Sequence, residues 1–128
     1  MSVDASDGVE LLVCTTCRCG EPNDANAPRP GARLHAALSE RSLPDGVALR
    51  PVECLSNCSK GCTIGLRGPG RWTYVFGGLD ADAHIDVILE GVARYLSAPD
   101  GIVPWRERPE HFRRNCIVRI PPMETIYA

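Results

Sequence analysis

Two cysteine groups, each placed directly behind a short apolar run, constrain this chain more than any other feature of its sequence. Cys14, Cys17 and Cys19 follow the run Val9–Val13, and Cys54, Cys58 and Cys62 follow Val47–Glu53. Both runs are short, apolar and bounded by turn-forming residues, so they read as strands. Gly20–Pro30 reads as an irregular loop, rich in Gly, Pro, Asn and Asp. Pro30 suits the first turn of a helix that carries Leu34, Ala37 and Leu38 on one face. That helix stops before the turn Leu43-Pro44-Asp45-Gly46. In a parallel β-α-β unit both strands end on the same sheet edge, so the spacing brings the two cysteine groups side by side.

The remaining pattern extends this unit. Thr63–Leu66 and Trp72–Phe76 flank Gly68-Pro69-Gly70, a hairpin signal. Asp80 is a candidate N-cap, Asp82 suits the positive helix end, and Ile85, Ile88, Leu89, Val92 and Leu96 recur at helical spacing. Pro99-Asp100-Gly101 ends that helix. The order β-α-β-β-β-α predicts an α/β, thioredoxin-like fold: a four-stranded mixed sheet with helices Pro30–Glu40 and Asp80–Leu96 packed on it. The length of 128 residues suits one domain, with a core over about residues 9–98 and a C-terminal extension over 99–128. Trp105 and Phe112 are the expected anchors of that extension.

Composition narrows the setting. A net charge of −2 gives no bulk attraction to nucleic acid or to membrane surfaces. No apolar run reaches the roughly 18 residues of a membrane span, and Met1–Gly8 has no basic stretch of the kind that opens a signal peptide. The expectation is a cytoplasmic protein. Thiols stay reduced there, and seven cysteines cannot all pair, so the cysteines read as metal-binding or catalytic rather than as a disulfide framework.

Three chemistries use such cysteines. Four thiolates converging on one point repel, and bound iron or another cation offsets that repulsion. A [2Fe-2S] cluster on four cysteines uses both groups and would make the chain a one-electron carrier rather than an enzyme. Arg18, Lys60, Arg67 and Arg71 are the candidate basic residues to ease the added electron. A four-cysteine zinc or cobalt site is also allowed, although Cys54-x3-Cys58 is an unusual zinc spacing. A thiol-disulfide oxidoreductase is suggested by Cys14-x-x-Cys17 beside a β-α-β unit. Such enzymes place the reactive thiol at a helix N-terminus, whereas here a loop separates Cys17 from Pro30. The chain also lacks the proline that thioredoxins carry before their third strand.

The run Cys54-Leu-Ser-Asn-Cys58-Ser-Lys-Gly61 resembles the Cys-Leu-Gly-x-Cys-x-x-Gly signature of thioredoxin-like [2Fe-2S] ferredoxins and of the equivalent subunit of NADH-quinone oxidoreductase. The Trp72–Phe76 strand and the helix from Asp80 to Leu96 match those proteins in order and length. Over nearly its whole length the chain is most similar to a bacterial family of small metal-binding proteins often encoded near cobalamin-biosynthesis genes. The shared runs are Val-Cys-x-x-Cys-Arg, Pro-Gly-Ala-Arg-Leu, Glu-Cys-Leu-Ser-x-Cys, Gly-Pro-Gly-Arg-Trp-Thr-Tyr-Val and Pro-Asp-Gly-Ile-Val-Pro-Trp-Arg-Glu-Arg-Pro. The resemblance implies a [2Fe-2S] cofactor, a redox partner protein, a homodimer and a link to cobalt or corrin metabolism. Cys14, Cys17, Cys54 and Cys58 are the expected ligands. Ferredoxins of this type space their first two ligands more widely, and Cys14 with Cys19 would match the NADH-quinone oxidoreductase subunit. Cys62 stands where those proteins usually have proline. Cys19 and Cys62 therefore remain alternatives to Cys17.

The other reactive side chains have plainer readings. Cys116 reads as a small, half-buried apolar residue. His35, His84 and His111 have no ligand spacing to one another and read as solvated or capping groups. Arg106, Arg108, Arg113, Arg114 and Arg119 read as solvated surface that could also steer an acidic redox partner.

Overall fold

The computed structural model describes residues 8–15, 29–53, 55 and 61–123. Its strands are β1 (Val9–Cys14), β2 (Val47–Val52), β3 (Cys62–Arg67), β4 (Thr73–Leu79) and β5 (Cys116–Ile120). Its helices are α1 (Pro30–Ser39), α2 (Ile85–Ser97) and α3 (Glu110–Asn115), with a 3-10 turn at Trp105–Glu107. The sheet runs β2-β1-β3-β4-β5. β1 and β2 are parallel, in the register Val9↔Val47 to Cys14↔Val52, and every other pair is antiparallel.

Alternation along the strands assigns the two sheet faces. Val9, Leu11 and Val13 of β1, Cys62, Ile64 and Leu66 of β3, and Tyr74 and Phe76 of β4 form one buried cluster. Leu34 and Leu38 of α1, Ile88, Val92 and Tyr95 of α2, and Phe112 of α3 complete it. All three helices thus cover the same face. The opposite face carries Glu10, whose carboxylate accepts from Arg67 at 2.7 Å and Arg50 at 3.2 Å across three strands. β2 lies at the sheet margin, which accommodates Pro51 without loss of an interior ladder bond.

The sheet has five strands where the sequence predicts four. Beyond the extension's helix α3, Cys-Ile-Val-Arg-Ile pairs with β4 from Thr73↔Ile120 to Phe76↔Cys116, with a bulge between Val75 and Phe76. Ile117, Val118 and Ile120 remain exposed on this edge strand.

Two further expectations are corrected. The second helix starts at Ile85, not Asp80. The Asp80 carboxylate accepts from the backbone N–H of Asp82 and of Ala83, both at 2.8 Å, and so caps a separate turn ahead of the helix. Trp105 is no anchor: it is 59% exposed, with the Arg108 guanidinium over its ring. Phe112 does anchor the extension, stacked on Phe76 with centroids 4.0 Å apart.

The Gly-Pro-Gly-Arg-Trp-Thr-Tyr and Pro-Asp-Gly-Ile-Val runs meet in space, and their chemistry is structural. Arg71 donates to the carbonyls of Tyr95, Leu96 and Ala98 and so closes the C-terminus of α2. The Tyr95 hydroxyl donates to the Trp72 carbonyl, and burial pushes its pKa far above the ordinary phenol value. The Tyr74 hydroxyl accepts from the Val103 N–H and from Arg108, each at 3.3 Å.

Candidate functional site

Cys14 is the last residue of β1 and is almost fully buried. The parallel pairing with β2 continues past it, where the Thr15 N–H donates to the Val52 carbonyl at 2.9 Å. The Cys14 Sγ consequently lies 3.8 Å from the carbonyl oxygen of Glu53, the residue directly before Cys54. The end of β1 and Glu53, at the end of β2, are therefore adjacent at one sheet edge.

Cys17, Cys54 and Cys58, and the alternative Cys19, lie outside the described residues. Among the described residues no three His, Cys, Asp or Glu side chains come together as a metal site. Cys62 is described. It opens β3, is fully buried in the helix-covered cluster and pairs with Leu79. Because Val13 and Ile64 share that face, the β-pleat puts Cys14 on the other one. A single metal centre holding both Cys14 and Cys62 would have to bridge the sheet, which weighs against Cys62 as a ligand. Cys116 packs against the core at the start of β5, and burial raises its thiol pKa.

Arg67 and Arg71 do not serve the cysteine edge. Arg67 pairs with Glu10 near the start of β1, about 13 Å of strand from Cys14 at 3.3 Å per residue. Arg71 is committed to the end of α2. Arg18 and Lys60 fall outside the described residues.

The sequence gives no sign of one feature near this edge. His84 and His111 stand in ring contact, with centroids 4.2 Å apart. The His84 Nδ1 accepts from the Asp80 N–H at 2.8 Å, and the His111 Nε2 lies 3.2 Å from the Gly77 carbonyl. The two residues belong to different elements, so no local spacing could reveal the pair.

Burial pushes the His111 pKa below the ordinary imidazole value; the Gly77 carbonyl offsets part of this, and the nearby His84 adds to it. A histidine with a depressed native pKa contributes stability that is complete above its unfolded pKa, roughly 6.5, and is lost as pH falls through the native value. The melting temperature should therefore fall between about pH 7 and about pH 5, above the range where Glu10 and Asp80 titrate. His111→Gln keeps a donor for Gly77 and removes the titration, so its melting temperature should decline less over that interval. Equal declines in the two proteins would contradict this role.

A thioredoxin-like α/β sheet with cysteine groups behind two parallel strands is the class these features define. Among solved structures the chain is similar to a thioredoxin-like [2Fe-2S] ferredoxin from Aquifex aeolicus. Identity is 16%, the match covers 92% of this chain and 97% of that one, and the TM-score is 0.54, a likeness of fold. The chain belongs to the family described as proteins of unknown function DUF1636, whose model matches residues 11–122. No curated protein matches it in sequence. Among the described residues no helix is long and apolar enough to cross a membrane.

Proposed function

We propose that this chain holds a [2Fe-2S] cluster on Cys14, Cys17, Cys54 and Cys58 and acts as a one-electron carrier for a redox partner protein in the cytoplasm. The observation that carries the proposal is the parallel β1–β2 register, with the Cys14 sulfur 3.8 Å from the residue before Cys54. The donor set fits the cofactor in kind: four cysteines that follow, in sequence, two strands lying side by side, with soft thiolate ligands suited to iron and sulfide. When bound, the cluster supplies a one-electron couple. The chain's part is to fix the first ligand on a buried strand end and to exclude water from it. The family resemblance points to cobalamin biosynthesis as the setting of the partner.

A thiol-disulfide oxidoreductase fits less well. Cys14 is buried on a strand, and α1 begins only at Pro30, so no helix N-terminus is described beside it to activate a thiolate. Electron count separates the two readings. Anaerobically isolated protein should give no electron paramagnetic resonance signal as purified in its oxidised state, and about one spin per chain after dithionite reduction. Uptake of two electrons with no paramagnetic product would instead mark a dithiol–disulfide couple.

A further inference from the structure

A cavity of about 540 Å³ opens between α2 and the segment leading into β5. Its wall includes His84 and Arg94 on one side and Arg106, His111, Arg113 and Arg114 on the other. Arginines outnumber glutamates around it by five to three, the acids being Glu90, Glu107 and Glu110. The chain as a whole carries a net charge of −2, so this concavity concentrates positive charge against the overall balance.

The partners of these groups decide what the cavity has to offer. Arg108 is occupied, donating to the Val103 carbonyl and to the Tyr74 hydroxyl. Arg94 and Glu107 approach only to 4.0 Å, a loose exposed pair. Arg113 spends its Nε on the Arg108 carbonyl and keeps its terminal amino groups. Arg106 and Arg114 have no hydrogen-bond or ion-pair partner among the described residues. The imidazoles add direction. The His84 Nδ1 already accepts the Asp80 N–H, so the neutral ring carries its proton on Nε2 as a donor. His111 donates through Nε2 to Gly77, so the Nδ1 of its neutral ring is an acceptor and adds no donor for an anion.

We propose that this cavity binds a small, multiply charged oxyanion, held by the guanidinium groups of Arg106, Arg113 and Arg114 with a contribution from the His84 imidazole. Guanidinium forks match the paired oxygens of phosphate and carboxylate groups. The volume lies in the range of small-molecule sites, and the strongly charged wall rules out an apolar occupant. The site is distinct from the cysteine edge, although it is near it. A Cβ built on Gly61, just behind the second cysteine group, would meet the Gly78 Cα at 2.7 Å, and one on Gly78 would meet the Asn115 Oδ1 at 2.8 Å. The binding site does not depend on what the cysteines hold.

The test is a titration of the full-length protein as purified with inorganic pyrophosphate and, separately, with citrate, at constant ionic strength set with sodium chloride. The imidazole resonances of His84 and His111 report occupancy. Saturable shifts with at least one of the two anions are expected, and the stronger binder assigns the ligand as phosphate-bearing or polycarboxylate. The double variant Arg106→Gln/Arg114→Gln should bind about a hundredfold or more weakly, the effect of losing two charge-assisted hydrogen bonds worth about tenfold each. Arg50→Gln, at the far end of the sheet, should bind as the wild type does. Shifts that never saturate, or equal affinity in the double variant, would overturn the proposal. So would binding only to an acidic protein surface and to neither small anion.

Discussion

Replacing Phe112 with alanine should destabilise the protein by about 3–5 kcal/mol, the cost of truncating a buried aromatic side chain. Phe112 is 2% exposed and stacks on Phe76, so the hole would open between the extension and the sheet. Gly91 provides the complementary variant. Helical propensity alone makes Gly91→Ala stabilising by about 1 kcal/mol, since the residue is interior to α2. The added Cβ, however, would sit 2.0 Å from the Phe112 Cε2, and the ring is held by Phe76 and cannot swing aside. Overpacking of this kind costs about 1–3 kcal/mol or more and should reverse the sign. Both variants are to be measured by thermal and urea unfolding. A stabilised Gly91→Ala protein, or a Phe112→Ala protein as stable as the wild type, would mean that α3 does not dock as described.

The second large effect concerns the cysteines. Cys54→Ser and Cys58→Ser should abolish the visible chromophore, because each removes a thiolate from the signature run. Cys14→Ser should do the same, and Cys17→Ser is the expected fourth. Cys19→Ser and Cys116→Ser should retain the native spectrum. For Cys62 the informative change is to alanine, because serine would bury a hydroxyl among Val13, Ile64 and the helices and unfolding would obscure the result. Cys62→Ala should keep the spectrum. If Cys17→Ser is silent and Cys19→Ser is not, the second ligand is Cys19. Silent Cys54→Ser or Cys58→Ser variants would remove the basis for the ferredoxin reading.

Much of the fold could be read along the chain because its signals are local. The apolar run before Cys14, the Pro30 helix start, the Gly68-Pro69-Gly70 turn and the spacing of Ile85, Ile88 and Val92 each specify an element through nearby residues. What escaped depends on distant partners. β5 is a half-exposed strand followed directly by Pro121-Pro122, and it exists because β4 offers it an open edge. The continuation of β4 through Gly77 and Gly78 to Leu79 is hidden by two glycines and by a bulge in its pairing with β3. Asp80 is a capping residue, as its chemistry suggests, but the turn it caps precedes α2. Trp105 shows that a large aromatic residue need not be buried when an arginine can cover its face.

That β1 and β2 end side by side was legible for the same reason. Two strands of a β-α-β unit must end together, and the β1–β2 register does bring Cys14 against Glu53. The His84–His111 contact and the arginine-lined cavity were not, since they arise only when α3 folds back beside α2.

The cofactor is tested most directly by the visible absorption spectrum of anaerobically purified protein, taken with iron and acid-labile sulfide analysis on the same sample. The expected result is a red-brown protein with about two irons and two sulfides per chain. A colourless protein that carries stoichiometric zinc, and stays colourless after reconstitution with iron and sulfide, would contradict it.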